Sequence, residues 1–205
     1  MCSTRLLVLT GLLTMPTHAW ANPIDVPIGV QRMVRAATVE VLPARCAGAV
    51  ALARDLIVTA RHCATHVGDR VSVRRGEDEE GADVVAVDEV ADQSVLRVGR
   101  ALPVDPLAIA AHLPIAGTVL FFAGNLRQAK WQSVRVDRIG RCPSLPGLAT
   151  ALFTSLKGAP GDSGAPLVDG IGRIVGLVHG GAQCQIATPS DHLLRLTAPL
   201  ASSQP

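Results

Sequence analysis

The stretch PGDSGAPLV, residues 160–168, places Ser163 between an aspartate and a glycine, directly before an apolar run. Glycine and proline around the serine predict a tight turn that leads into a β-strand. A serine hydroxyl becomes a strong nucleophile only when a neighbouring base takes its proton and a third group orients that base. Ser163 is therefore either a turn residue or a nucleophile, and other segments of the chain must decide between these interpretations.

A candidate base lies in LIVTARHC, residues 56–63, where His62 follows an apolar run that predicts a strand. The segment between Cys46 and Cys63 predicts two strands joined by a turn, and such a hairpin can bring the two cysteines together. A disulfide there would contribute about 3 kcal/mol and would restrict the backbone beside His62. A single histidine in this position is more often structural than catalytic.

A candidate carboxylate lies in DQSVLRV, residues 92–98, where Asp92 begins an alternating apolar strand. Asp92 is either a turn residue or the group that accepts the imidazole proton of His62 and so orients the ring. Asp88, in the preceding segment VVAVDEV, is the competing candidate for that role.

In the order His, Asp, Ser, the motifs VTARHC, DQSVLRV and GDSGAPLV resemble those of the chymotrypsin/trypsin-like family of serine endopeptidases, of the secreted bacterial type. The resemblance extends over residues 34–200 and implies two antiparallel six-stranded β-barrels, packed side by side, with the active site between them. It assigns His62 as the general base, Asp92 as its orienting partner and Ser163 as the nucleophile. The backbone N–H groups of Gly161 and Ser163 would form the oxyanion hole.

The distribution of strand-like runs agrees with an all-β chain, because short β-branched or apolar segments alternate with glycine, proline and charged clusters. The proline-rich segment 100–118 predicts a connector between two halves, and PSDHLLRLTAPLA predicts a short C-terminal helix capped by Ser190. The predicted divisions are a signal peptide at 1–21, an N-terminal segment at 22–33, a first barrel at 34–112, and a second barrel with the C-terminal helix at 113–205.

The first 21 residues have the pattern of a secretory signal, with Arg5, the apolar run LLVLTGLLTM and the small-residue site AWA. A membrane anchor is the alternative, but the apolar run is too short to span a bilayer. Removal of the signal also removes Cys2 and leaves an even number of cysteines. We therefore expect a secreted or periplasmic protein with the disulfides Cys46–Cys63 and Cys142–Cys184.

The composition argues against several classes of partner. The net charge is +2 and aromatic residues make up 2% of the chain, which does not favour nucleic-acid binding. No CxxC pair is present, so the sequence does not support a zinc site. No cofactor is predicted. The acidic run Glu77–Glu80 is interpreted as a solvated turn, with a calcium site as the alternative. We expect a monomer that acts on polypeptide substrates and does not associate with membranes once the signal is removed.

Specificity rests on positions that the resemblance assigns to the substrate pocket. Lys157 lies where the family places the residue at the base of the primary pocket. His179 precedes the extended substrate-binding segment, and Gly180 and Gly181 match that segment and the pocket wall. Together they raise the hypothesis of a preference for an acidic residue before the cut. In the alternative, Lys157 points to solvent and His179 only hydrogen-bonds near Asp92.

The chain departs from the family at its activation segment, because no IVGG-like stretch precedes the first barrel. Signal cleavage would expose Asn22–Pro23, which is a poor apolar plug. We therefore expect Asp162 to pair with an internal group, without proteolytic activation. The predicted function is peptide-bond hydrolysis through an acyl-enzyme. A catalytically inactive binding module with the same fold is the alternative, and the absence of a G-x-S-x-G motif disfavours a lipase-like esterase.

Overall fold

A computed structural model describes residues 26–127, 131–180 and 185–201. Within these ranges the strands form two closed, antiparallel, six-stranded barrels, which confirms the predicted fold class. The predicted signal peptide at 1–21, Gly181 of the predicted pocket wall and Cys184 of the second predicted disulfide lie outside the described residues.

The first barrel is closed in the order β1-β2-β3-β6-β5-β4. Its strands are β1 Thr38–Leu42, β2 Cys46–Val50, β3 Leu56–Ala60, β4 Arg70–Arg75, β5 Asp78–Asp88 and β6 Gln93–Val98. Strand β3 is buried along its whole length, because it lies between β2 and β6 near the centre of the molecule. A single 3-10 turn, Arg61–Cys63, follows β3 and holds His62 at the end of this buried strand.

The second barrel is closed in the order β10-β11-β12-β9-β8-β7. Its strands are β7 Val119–Phe122, β8 Gln132–Gly140, β9 Ala151–Thr154, β10 Pro166–Val168, β11 Ile174–Val178 and β12 Ile186–Pro189. Strands β10 and β11 pair directly, and both are buried throughout. The turn before β10 and the end of β11 therefore lie side by side.

Hydrogen bonds join the two barrels at several points. The segment between β6 and β7 forms parallel bridges to each barrel, from Leu107 to Ala51 and from Ile109 to Ile174. The buried amide of Gln93 in β6 donates to the Thr188 hydroxyl at 2.9 Å and to a carbonyl of β12 at 3.0 Å. These bonds set the barrels in a defined orientation across the cleft.

Two helices cover the barrels. Helix α2, Ser190–Ala201, agrees with the predicted C-terminal helix, and the Ser190 hydroxyl donates to the Ala110 carbonyl at 2.9 Å. Helix α1, Ile28–Ala37, was not predicted; it buries Val30 and Val34 on one face. Because its last residues overlap the strand-like run AATVEVL, the sequence pattern concealed where the helix ends and β1 begins. Neither described helix is long and apolar enough to cross a membrane.

The acidic run at Glu77–Glu80 belongs mostly to a strand rather than to a loop. The turn consists of Gly76 and Glu77, and Asp78 already pairs with Arg75 at the start of β5. Consecutive strand residues point to opposite faces, so the following carboxylates do not converge. Glu80 forms an ion pair with Arg100 at 2.6 Å. The predicted solvated turn is therefore confined to Gly76 and Glu77, and the strand geometry of the remaining acids does not favour a calcium site.

Candidate active site

The turn that holds Ser163 is fixed by both barrels. The Ser163 carbonyl accepts a hydrogen bond from the Ala47 N–H of β2 at 2.8 Å, and the Gly164 N–H donates to the Val178 carbonyl of β11 at 2.7 Å. Gly164 has φ +80°, and a Cβ there would lie 2.2 Å from the Ala47 oxygen. Only glycine fits this close approach, which explains the residue that follows the serine.

His62 is held by Asp92 at both its ring and its backbone. The His62 Nδ1 lies 2.7 Å from Asp92 Oδ2, and the His62 N–H donates to Asp92 Oδ1 at 3.0 Å. The Asp92 carbonyl accepts the Arg61 N–H at 2.9 Å, and Asp92 has φ +52°. When Nδ1 carries the proton, Nε2 is left as a proton acceptor, as a general base requires.

A second histidine contacts the same carboxylate oxygen. The Nδ1 of His179, at the end of β11, lies 2.7 Å from Asp92 Oδ2, and the ring is edge-on to His62 with centroids 5.5 Å apart. The His179 side chain is 13% exposed, whereas that of His62 is 43% exposed. Sequence analysis listed His179 among the substrate-binding residues and gave a hydrogen bond near Asp92 as the alternative. The structure shows that bond.

The Asp92 carboxyl is nearly buried, and burial by itself would raise its pKa. The hydrogen bonds from His179 and His62, together with the charges these rings can carry, outweigh burial and hold the Asp92 pKa below its usual value. Asp92 is therefore ionised at neutral pH and can stabilise an imidazolium at His62.

Asp88, the competing carboxylate, serves a different histidine. Its Oδ2 lies 2.7 Å from Nδ1 of His192 in α2, and its Oδ1 accepts the N–H groups of Val90 and Ala91 at 2.9 Å each. Burial opposes ionisation of Asp88, but these hydrogen bonds lower its pKa overall. Asp88 therefore anchors the C-terminal helix and does not contact His62.

Asp162 is buried, with 4% of its surface exposed, and Asn125 is its principal partner. The Asn125 N–H and its side-chain Nδ2 both donate to Asp162 Oδ1 at 2.9 Å, and the Ala159 N–H donates to Oδ2 at 2.6 Å. The Asn125 amide also donates to the Pro160 carbonyl at 3.3 Å. Asn125 thus holds the residues on both sides of Gly161. Sequence reasoning predicted an internal partner for Asp162 but had no signal that identified this asparagine.

The backbone N–H groups of Gly161 and Ser163 are the two predicted oxyanion donors. Within the described part of the chain neither N–H has a hydrogen-bond acceptor, and Gly161 has φ +94°. The Ser163 hydroxyl donates to the His179 carbonyl at 3.1 Å. A Cβ at Gly180 would approach the Ser163 Oγ to 3.1 Å, so glycine keeps space open beside the hydroxyl.

The structure describes Lys157 and three of the four predicted disulfide cysteines. Lys157 is exposed, and its backbone N–H and carbonyl bond to the side chain of Gln132. The Cys46–Cys63 disulfide is present beside His62. Cys142 is buried, but its predicted partner Cys184 lies outside the described residues.

A metal ion is not needed to explain the cluster of His62, Asp92 and His179. Their ligand atoms lie within 4.8 Å of one another. The Nδ1 atom of each histidine already hydrogen-bonds the Asp92 carboxylate at 2.7 Å, so hydrogen bonding accounts for the arrangement.

Comparison with known proteins gives the family context. The chain is similar in fold to the Rv3671c protease of M. tuberculosis in its active form, with 24% identity, a TM-score of 0.67, and coverage of 97% of this chain and 96% of that one. It is also similar to Deg5, with 22% identity, a TM-score of 0.65, and coverage of 85% and 93%. No curated protein sequence is significantly similar. The sequence model of the trypsin-like peptidase domain matches residues 46–177, and the chain therefore belongs to the trypsin-like peptidase family.

Proposed function

We propose that this chain is a secreted serine endopeptidase in which Ser163, His62 and Asp92 form the catalytic triad. The observation that supports it best is the 2.7 Å bond between His62 Nδ1 and Asp92 Oδ2. His179 connects this pair to Ser163, because its ring bonds to Asp92 and its carbonyl accepts the Ser163 hydroxyl. The His62–Asp92 bond selects the His62 tautomer whose Nε2 accepts a proton.

In the proposed reaction, the Ser163 hydroxyl turns from the His179 carbonyl toward Nε2 of His62. His62 takes the hydroxyl proton while Oγ bonds to the scissile carbonyl carbon, and the N–H groups of Gly161 and Ser163 bind the developing oxyanion. The imidazolium then protonates the leaving amine as the C–N bond breaks. His62 then takes a proton from water, whose oxygen attacks the ester carbon. The imidazolium returns that proton to Oγ as the acyl C–O bond breaks, which releases the acid and regenerates Ser163 and His62.

We expect this site to form without proteolytic activation. The hydrogen bonds from Asn125 and Ala159 occupy both oxygens of Asp162, so a newly cut N-terminus is not needed as its partner. N-terminal sequencing of the active secreted protein tests this together with the proposed signal peptide. An active form that always begins within residues 30–40, with the longer form inert, would contradict it.

The proposed preference for an acidic residue before the cut receives little support from the geometry. Lys157 is exposed, and the His179 ring is bound to Asp92. These contacts favour the alternative in which neither side chain contacts the substrate. A cleavage profile on a peptide library decides between them.

The alternative function is a binding module without catalysis. In its support, the Ser163 hydroxyl donates to a backbone carbonyl and not to His62. A fluorophosphonate probe distinguishes the two, because it labels only an activated serine. We expect labelling of the wild type and none of Ser163→Ala. An unlabelled wild type that hydrolyses no peptide would support the binding module.

A further inference from the structure

A cavity of about 330 Å³ lies beside the predicted oxyanion glycine and is not used in the mechanism above. Its wall includes Gly161 and Asn125 on the second barrel, and Glu40, Arg45 and Cys46 on the first. Arg45 also touches the oxyanion turn directly, since a Cβ at Gly161 would lie 3.0 Å from the Arg45 carbonyl oxygen. The cavity therefore adjoins the position of the reacting carbonyl.

The mechanism indicates which part of a substrate meets this cavity. His62 must reach the leaving amine to protonate it, so the residues after the scissile bond lie on the His62 side of Ser163. Cys63 adjoins His62 and is bonded to Cys46, which lines the cavity. Gly180 approaches Ser163 Oγ from β11, in the segment that the family resemblance assigns to the residues before the cut.

The charges around the cavity are unbalanced. Glu40 contributes one carboxylate, nearly buried, and it is bound by both Arg74 and Arg127. Arg45 is exposed and has no ion pair within the described residues. Two arginines thus neutralise the one carboxylate, and the further arginine, Arg45, lines the cavity together with Arg127. An acidic side chain would find an unneutralised cation there, whereas a basic one would be repelled.

We infer that this cavity is a specificity pocket for an acidic side chain in one of the two residues after the scissile bond, with Arg45 and Arg127 as its binding groups. The inference rests on the proposed endopeptidase function. The earlier hypothesis had Lys157 recognise an acidic residue before the cut. In this inference the acidic residue lies after the cut and is recognised by Arg45 and Arg127.

Acyl transfer tests the pocket in isolation, because the nucleophile that attacks an acyl-enzyme occupies the leaving-group side. A peptide ester forms the acyl-enzyme, and an added dipeptide amide then competes with water for the acyl group. Amides that begin with Asp or Glu are compared with those that begin with Asn or Gln. We expect the acidic amides to be about two- to five-fold better acceptors per arginine at low salt, as for exposed charge pairs. Arg45→Gln should reduce this ratio, and Arg45→Gln with Arg127→Gln should abolish it.

The matched control is Arg70→Gln, which removes the same charge from the first barrel at an exposed residue paired with Asp83, away from the cavity. It should leave the acid-to-amide ratio unchanged. Equal partition of acidic and neutral acceptors in the wild type, or equal effects of the Arg45 and Arg70 substitutions, would overturn the inference.

A binding measurement separates failure of this inference from failure of the proposed function. Titration calorimetry of Ser163→Ala with peptides beginning with Glu or Gln needs no turnover. Tighter binding of the Glu peptide, lost in the double arginine variant, supports the pocket even if no acyl-enzyme forms. Equal binding of both peptides refutes it, even if the wild type hydrolyses neutral substrates.

Discussion

Asn125→Ala removes a side chain that bonds on both sides of the predicted oxyanion glycine. The buried Asp162 carboxylate would lose one of its three hydrogen bonds, and the Pro160 carbonyl would lose its amide donor. A hydrogen bond to a buried charged group contributes about 1.5–3 kcal/mol. We therefore expect the free energy of unfolding to fall by about this amount.

The same loss should appear in catalysis, since the proposed mechanism requires the Gly161 N–H to point at the oxyanion. If the turn relaxes only in the ground state and must be re-ordered in the transition state, about 1.5–3 kcal/mol corresponds to a roughly 10- to 100-fold lower kcat. KM should change little, because Asn125 does not contact the scissile bond. Denaturant unfolding gives the stability, and a burst measurement with an ester substrate gives the acylation rate per folded active site.

Gln132→Ala is the matched control for Asn125→Ala. Gln132 also makes two side-chain hydrogen bonds to the 157–165 segment, but at the exposed Lys157. It should cost well under about 1 kcal/mol and leave kcat unchanged. Asn125→Asp retains the shape but replaces the donor by a second carboxylate beside Asp162, so it should be at least as damaging as alanine. An Asn125→Ala protein with wild-type kcat per folded molecule would refute the proposed role of the Asn125 hydrogen bonds in catalysis.

Three further changes probe other contacts. His179→Ala removes one of two histidine donors from the Asp92 carboxylate, and we expect a roughly ten-fold lower kcat with little change in KM, measured by steady-state kinetics. Gly164→Ala forces a Cβ to 2.2 Å from the Ala47 oxygen, and we expect a loss of more than about 4 kcal/mol, seen as failure to accumulate folded protein. The lowered Asp88 pKa means that its stabilisation is present above the unfolded pKa of about 3.9 and is lost as pH falls through the lower folded value. Asp88→Asn should therefore be less stable at neutral pH and should lose less stability in acid, measured by denaturant unfolding against pH.

Each of these changes has a control in the same chain. His192→Ala loses a histidine–carboxylate bond of the same 2.7 Å length away from the nucleophile, so it should lower stability but not kcat. Gly170→Ala meets nothing within 4 Å and should be tolerated. Asp105→Asn removes an exposed carboxylate paired with Arg54 and should not change how much the free energy of unfolding falls at low pH. Identical behaviour of a test variant and its control would contradict the role assigned to the tested contact.

The fold was predictable because local patterns and the family motifs agree. Short alternating apolar runs separated by turn residues predict an all-β chain, and the segments around His62 and Ser163 identify its arrangement as a pair of barrels. The Cys46–Cys63 bond was also predictable, because a hairpin of that length brings its first and last residues close together. The strands and the disulfide were predicted from residues that are close in sequence, whereas the pair of barrels came from the family resemblance.

The contacts that sequence reasoning could not find join residues far apart in the chain. Asn125 lies 37 residues from Asp162, and the bond of His179 to Asp92 spans 87 residues. No local pattern marks an asparagine as the partner of a distant carboxylate. Helix α1 was missed for a different reason, since its end merges into the apolar run of β1 and its start has no side-chain cap.

The arrangement of the site places a particular demand on the joint between the barrels. His62 and Asp92 come from the first barrel and Ser163 from the second, yet catalysis is sensitive to displacements of about 1 Å. Contacts across the joint at the site include the bond from the Ala47 N–H to the Ser163 carbonyl and the bond from the His179 ring to Asp92. The neighbouring Gln93 bonds to β12. Because the His179 carbonyl also accepts a hydrogen bond from the Ser163 hydroxyl, one residue connects the proposed orienting acid to the proposed nucleophile. A small shift of either barrel would change both bonds together, so the geometry of the proposed triad and the packing of the barrels are expected to be lost together.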